Sequence, residues 1–257
     1  MSDIATNIAH VRKRIAAACG VSGRNPEVVR LMAVSKMQPA SALIEAANAG
    51  VTLFGENRVQ EFAAKRAEML PLCVREDTEL AGFVITSDMA YAHVAMIGHL
   101  QSNKARRAVE LFDEIHSLDS LDLAERLHTA AQSLNKRLPV LLEIKLSEEA
   151  AKTGLLPDSA ELRELLDRLP DLSSLQVNGL MTVPPWDENA EAARPYFIRL
   201  RELRDQLAQQ HPRLNFAELS MGMSNDFEVA IEEGATLVRI GTAIFGKRDS
   251  KGFSVPG

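Results

Sequence analysis

Lys36 closes the apolar run Leu31-Met32-Ala33-Val34-Ser35. A lysine leaving a buried strand can lose enough solvation to act as a nucleophile toward a carbonyl group. Far along the chain come two small-residue turns, Leu219-Ser220-Met221-Gly222-Met223-Ser224-Asn225 and Val238-Arg239-Ile240-Gly241-Thr242-Ala243. Their backbone amides and hydroxyls are of the kind that cradle a phosphate. An amine that forms a Schiff base and a grip on a phosphate together suit a phosphorylated carbonyl compound. Pyridoxal 5'-phosphate is one such compound, and a sugar phosphate on an aldolase-type lysine is another.

Taken singly, each feature has a plainer explanation. Lysines at strand ends commonly extend into water. The Ser220 turn could simply cap the helical stretch Asp226-Phe227-Glu228-Val229-Ala230-Ile231, and Arg239 could belong to a structural salt bridge. Together they gain weight, because barrels of eight β/α units build phosphate sites from the turns after strands seven and eight. The helix after Asp226 is expected to aim its first N–H groups back at the cradle.

The elements that must position these residues alternate along the chain. Ile4, Ile8, Val11 and Ile15 form one stripe of an amphipathic helix over 3–19, closed by Gly20 and Gly23. Apolar runs then predict strands at 30–35, 51–54, 93–97, 114–116, 140–144, 175–181, 216–219 and 236–240, with helical stretches between them. Strands separated by helices run parallel, so the series predicts a (β/α)8 TIM barrel with an extra N-terminal helix over 1–23, or an open doubly wound sheet. The barrel is favoured because Lys36, Asn57, His99, Ser117, Lys145, Met181, Ser220 and Arg239 all fall at or near expected C-terminal strand ends, the rim where barrels gather site residues. Residues 70–92 show no clean period and read as an elaborated connection, and 247–257 as a frayed tail.

Composition narrows the function classes. The 257 residues, 46% hydrophobic and 25% charged with a formal net charge of -6, describe one globular barrel domain over 1–257. The acidity argues against nucleic acid. Basic clusters at Arg12-Lys13-Arg14 and Lys104-Ala105-Arg106-Arg107 read as solvated helix faces. Cys19 and Cys73 make no framework or zinc motif, and His10, His93, His99, His116, His128 and His211 lack ligand spacing, so no metal site is expected. The early acid Asp3 and the absence of a long apolar stretch predict a cytoplasmic protein with no membrane contact.

The chain resembles the pyridoxal phosphate homeostasis proteins, whose fold is similar to the N-terminal barrel of alanine racemase. The resemblance rests on Ala33-Val34-Ser35-Lys36, Phe54-Gly55-Glu56-Asn57-Arg58-Val59-Gln60-Glu61, Ile97-Gly98-His99-Leu100-Gln101-Ser102-Asn103-Lys104, Ile115-His116-Ser117-Leu118-Asp119, Gly179-Leu180-Met181-Thr182 and the two glycine turns. It implies that Lys36 forms the internal aldimine, while Ser220, Ser224, Gly241 and Thr242 hold the phosphate. It further implies that Asn57 and Met181 line the ring and that Arg239 faces the pyridine nitrogen, keeping it unprotonated and weakening the electron sink. The implied role is storage or delivery of pyridoxal phosphate within vitamin B6 homeostasis, with apo forms of pyridoxal phosphate enzymes as recipients. The alternative is a weak amino-acid racemase. That reaction needs a base on each face of the carbanion, and Tyr91 and Tyr196 are the only tyrosines available.

Overall fold

The computed structural model describes residues 3–73, 92–147, 149 and 153–246. Eight parallel strands close into a barrel in sequence order: β1 (Arg30–Val34), β2 (Leu53–Glu56), β3 (His93–Met96), β4 (Glu114–Leu118), β5 (Leu138–Glu143), β6 (Leu175–Met181), β7 (Glu218–Ser220) and β8 (Leu237–Ile240). Closure is made by β8 against β1, in register from Arg30 with Leu237 to Ala33 with Ile240. The expected barrel is therefore the observed fold. Between the strands lie α2 (Ala40–Asn48), α3 (Val59–Cys73), α4 (Ala105–Leu111), α5 (Leu121–Ser133), α6 (Ala160–Arg168), α7 (Arg194–Gln210) and α8 (Phe227–Glu232), with α9 (Thr242–Phe245) after β8.

The helix ahead of the barrel, α1 (Ile4–Val21), starts at Asp3, whose carboxylate accepts the Ala5 amide at 3.2 Å. Ile8, Val11 and Ile15 are buried as the stripe requires, and the helix packs on α2, α8 and α9. It runs through Gly20, and the chain leaves it at Ser22 and at Gly23, which takes a φ of 67°. The tail 247–257 and most of the 70–92 connection lie outside the described residues.

Strand boundaries differ from expectation where a polar residue is buried. β2 begins two residues later than the apolar run suggests and continues through Gly55 and Glu56, because the Glu56 carboxylate is neutralised by Lys65 at 2.8 Å. β7 likewise reaches Ser220, whose hydroxyl is met by Arg239. β4 extends to Leu118, so Ser117 lies inside a strand and is fully buried rather than on the rim.

Inside the barrel, Met32, Leu53, Ala95 and Leu237 form an apolar layer with Ile97 packed against it. At the N-terminal end of the strands sits a charged layer. Arg30 reaches Glu218 at 2.8 Å and Glu114 at 3.1 Å, and His116 Nε2 lies 2.7 Å from the other Glu114 oxygen. Burial pushes the Glu114 pKa up, but the His116 and Arg30 contacts outweigh it and hold the group at about 2 against an ordinary 4.5. The folded pKa is depressed, so this stabilisation is complete above pH 4.5 and disappears as pH falls through about 2. Glu114→Gln should lower stability at neutral pH and flatten the acid loss across that window. Urea unfolding of both proteins over the same pH series measures this, and parallel curves would refute it.

Candidate functional site

Strand alternation decides which side chains reach the barrel mouth. Val238 and Ile240 pack into the core beneath the helices, which turns Arg239 inward. By the same rule Leu180 faces the helices and Met181 the interior, and Leu219 and Met221 flank an inward Ser220. Ser35 and Glu56 bond each other on the α3 side at 2.8 Å, so Lys36 and Asn57, next along, belong to the mouth. Lys36, Asn57, His99 and Gly241 each stand four residues beyond one member of the apolar layer, Met32, Leu53, Ala95 and Leu237 respectively. The sequence-derived site residues occupy one continuous arc, from β6 through β7, β8 and β1 to β2.

The two small-residue turns meet. Ser224 Oγ accepts from both the Gly241 and the Ala243 amides, each at 3.3 Å, with Thr242 exposed between them. Gly222 adopts a φ of 91°, and a Cβ there would lie 2.6 Å from that of Ala230, so this turn requires glycine. The α8 contribution differs from expectation. The Asp226 and Phe227 amides donate to the Met223 carbonyl at 3.1 and 2.9 Å, and Asp226 Oδ1 accepts from the Met223 amide at 2.6 Å. The start of α8 thus braces its own turn instead of aiming those two N–H groups at a ligand. Gly241 also touches β1, since a Cβ on it would stand 3.5 Å from the Val34 carbonyl oxygen, two residues before Lys36.

Arg239 is 4% exposed and spends its guanidinium on the barrel wall. Nη1 donates to the Ser220 carbonyl and hydroxyl, both at 2.7 Å, and Nη2 to the Thr182 carbonyl at 2.8 Å. Burial lowers its pKa to about 10, against the opposing pull of Asp226 and Glu143, which leaves a cation at neutral pH. Ser220 is therefore placed with Arg239, while Ser224 is placed with the Gly241 turn.

Sequence reasoning passed over several residues that shape the mouth. Glu143 ends β5, and burial, then the nearby Asp119 charge, raises its pKa; Thr153 and Arg239 act against the rise. Its Oε2 is buried without a hydrogen-bond partner. Asp119 in turn faces His99 Nδ1 at 3.0 Å. The available signal was an acid near the C-terminal end of the apolar run Val140-Leu141-Leu142-Glu143-Ile144, since a buried acid in a strand needs polar or charged neighbours. Tyr196 lies on α7, half-buried against the core, and Tyr91 lies outside the described residues. Among the described residues no group of histidine, cysteine and acids is arranged for a metal.

Two observations suit a ligand with an anionic group and a hydrogen-bond donor, as pyridoxal phosphate has. The Gly241 turn converges two amides on one hydroxyl oxygen of Ser224, a geometry that suits an anion. Asn57 Oδ1 is buried with no partner, beside the close contact in which a Cβ on Gly98 would fall 2.5 Å from the Asn57 carbonyl oxygen. An orphaned acceptor at the mouth is expected where a ligand donor completes it.

Comparison with known proteins agrees with this geometry. The alanine racemase N-terminal domain family matches residues 3–249. A pyridoxal phosphate homeostasis protein of Aquifex aeolicus is 40% identical over 241 residues, covering 94% of this chain and 96% of that protein. One from Pseudomonas aeruginosa is 41% identical, covering 97% of each. The structure of PipY from Synechococcus elongatus, solved with pyridoxal phosphate bound, superposes with a TM-score of 0.78 at 41% identity and covers 95% of this chain and all of that one. Alanine racemase of Clostridium difficile shares the fold alone, at 14% identity and a TM-score of 0.63, this chain spanning 58% of its length. A barrel closed in sequence order, with this arc of residues and these relatives along almost its whole length, places the chain in the pyridoxal phosphate homeostasis protein family.

Proposed function

We propose that this protein binds pyridoxal 5'-phosphate through Lys36 and stores or delivers it within vitamin B6 homeostasis. The observation that carries the reading is the adjacency of β1 and β8. Their pairing from Arg30 to Ala33 sets the Lys36 turn beside the Gly241 turn, so an amine and a phosphate grip share one side of the mouth. Pyridoxal phosphate, when bound, supplies an aldehyde that condenses with a lysine amine with loss of water. Ser224, Gly241 and Thr242 would hold the phosphate, Asn57 and Met181 would line the ring, and Arg239, a cation at neutral pH, would face the pyridine nitrogen. Ser220 orients that guanidinium.

Among the described residues the racemase alternative finds no second base of the expected type, since Tyr196 sits half-buried on α7 against the core, and the racemase likeness is one of fold. The recipients are apo forms of pyridoxal phosphate enzymes, and the location is the cytoplasm; no described helix is long and apolar enough to cross a membrane. Mixing the loaded protein with an apo-enzyme tests delivery. Reactivation faster than the cofactor's free release supports direct transfer, whereas reactivation at the release rate leaves storage as the role.

A further inference from the structure

The turn that carries Lys36 is held from outside the barrel by α3. The Gln38 amide donates to the Ser35 carbonyl at 3.0 Å, closing a four-residue turn in which Lys36 and Met37 are central. Met37 has a φ of 61°, and Lys36 is not among the non-glycine residues with positive φ. That combination is a type II turn, which favours glycine at the place Met37 occupies. In a type I turn the central peptide is flipped and Met37 returns to ordinary φ, so something must hold the flipped form.

Two side chains of α3 do so. Glu61 Oε1 accepts from the Met37 amide, the N–H of the central peptide itself. Lys65 donates to the Ser35 carbonyl at 2.8 Å and also meets Glu61 at 2.7 Å and Glu56 at 2.8 Å, while Ser35 Oγ donates to Glu56. Lys65 is 7% exposed and Glu56 fully buried. The Met37 side chain is half exposed, so it contributes little packing that could pay for its conformation.

We propose that Glu61 and Lys65 are positioning residues that lock the Ser35–Gln38 turn in its type II form and so pre-set the Lys36 amine for condensation with the pyridoxal phosphate aldehyde. The inference rests on the reading of Lys36 above. In the step they assist, the amine nitrogen adds to the aldehyde carbon, a C=N bond forms and the carbonyl oxygen leaves as water, with no change of oxidation state. Neither residue touches the reacting atoms; they fix the peptide groups on either side of Lys36.

Lys65→Met strips the counter-charge from buried Glu56 and is expected to fold poorly, so Glu61→Ala is the informative variant. Condensation is followed by the growth of the lysine-bound absorption band after mixing with pyridoxal phosphate. Non-covalent binding is measured with pyridoxine 5'-phosphate, which has the ring and phosphate but no aldehyde. Glu61→Ala should slow condensation about tenfold while leaving pyridoxine 5'-phosphate binding within about twofold of wild type. Adding Met37→Gly should restore the rate to within about threefold, since glycine adopts the turn without help. Condensation at the wild-type rate in Glu61→Ala, equal loss of both readouts, or no rescue by Met37→Gly would overturn the inference while leaving Lys36 as the attachment point. A wild-type protein that binds pyridoxine 5'-phosphate yet never condenses with the aldehyde would overturn the reading of Lys36 and this inference with it.

Discussion

Lys36→Ala should abolish the lysine-bound absorption band and every borohydride-stable adduct at the barrel mouth. Affinity for pyridoxal phosphate should fall about a hundredfold, because the covalent link and its orientation of the ring are lost while the phosphate grip remains. The physical basis is placement. Lys36 leaves β1 on the side opposite Ser35, and β1 lies against β8, whose Gly241 turn converges two amides on Ser224. Lys36 belongs to neither apolar cluster, and its replacement leaves the Ser35 carbonyl and Met37 amide to be held by Lys65 and Glu61. The variant should therefore fold and still bind pyridoxine 5'-phosphate as wild type does. An adduct of undiminished yield in Lys36→Ala would show that another lysine carries the cofactor.

Arg239→Met should destabilise the protein by about 3 kcal/mol, measured by urea unfolding at neutral pH. The methionine fills much of the same space but supplies no donors, so the Ser220 and Thr182 carbonyls lose bonds of 2.7 and 2.8 Å in a dry interior. It also removes the cation that opposes the burial of Glu143 and Asp226, both already pushed above the ordinary carboxylate range by desolvation. Their folded pKa values rise further in the variant. A raised carboxyl pKa costs stability once pH exceeds the unfolded value, so the deficit should shrink as pH is lowered into the ordinary carboxylate range. A deficit under about 1 kcal/mol, or one that grows on acidification, would contradict this account of Arg239.

The alternation of apolar strands with helices was legible because each strand of a parallel barrel is buried on both faces. Legible too was much of the rim, since Lys36, Met181 and Arg239 fall at the ends of the apolar runs 30–35, 175–181 and 236–240, whereas Ser117 proved to lie inside β4. What escaped the sequence were polar residues whose burial depends on a partner distant in the chain. Glu56 lies beyond the apolar run 51–54 and reads as outside the strand, until Lys65 is seen to neutralise it there. Ser220 reads as part of a phosphate turn until Arg239 is seen to hold it. Arg30, Glu114, His116 and Glu218, drawn from three strands, gave no local sign that they would form one charged layer. The Glu61 contact to Met37 was invisible for another reason: a methionine at positive φ carries no sequence signature, whereas a glycine there would have announced the turn.

Borohydride reduction of the protein loaded with pyridoxal phosphate, followed by proteolysis and mass mapping of the modified peptide, tests the attachment directly. The reduced pyridoxyl group is predicted on Lys36, in the peptide that contains Leu31-Met32-Ala33-Val34-Ser35. A pyridoxyl group found on Lys145 or any other lysine, or none after loading and reduction, would contradict the assignment of the site.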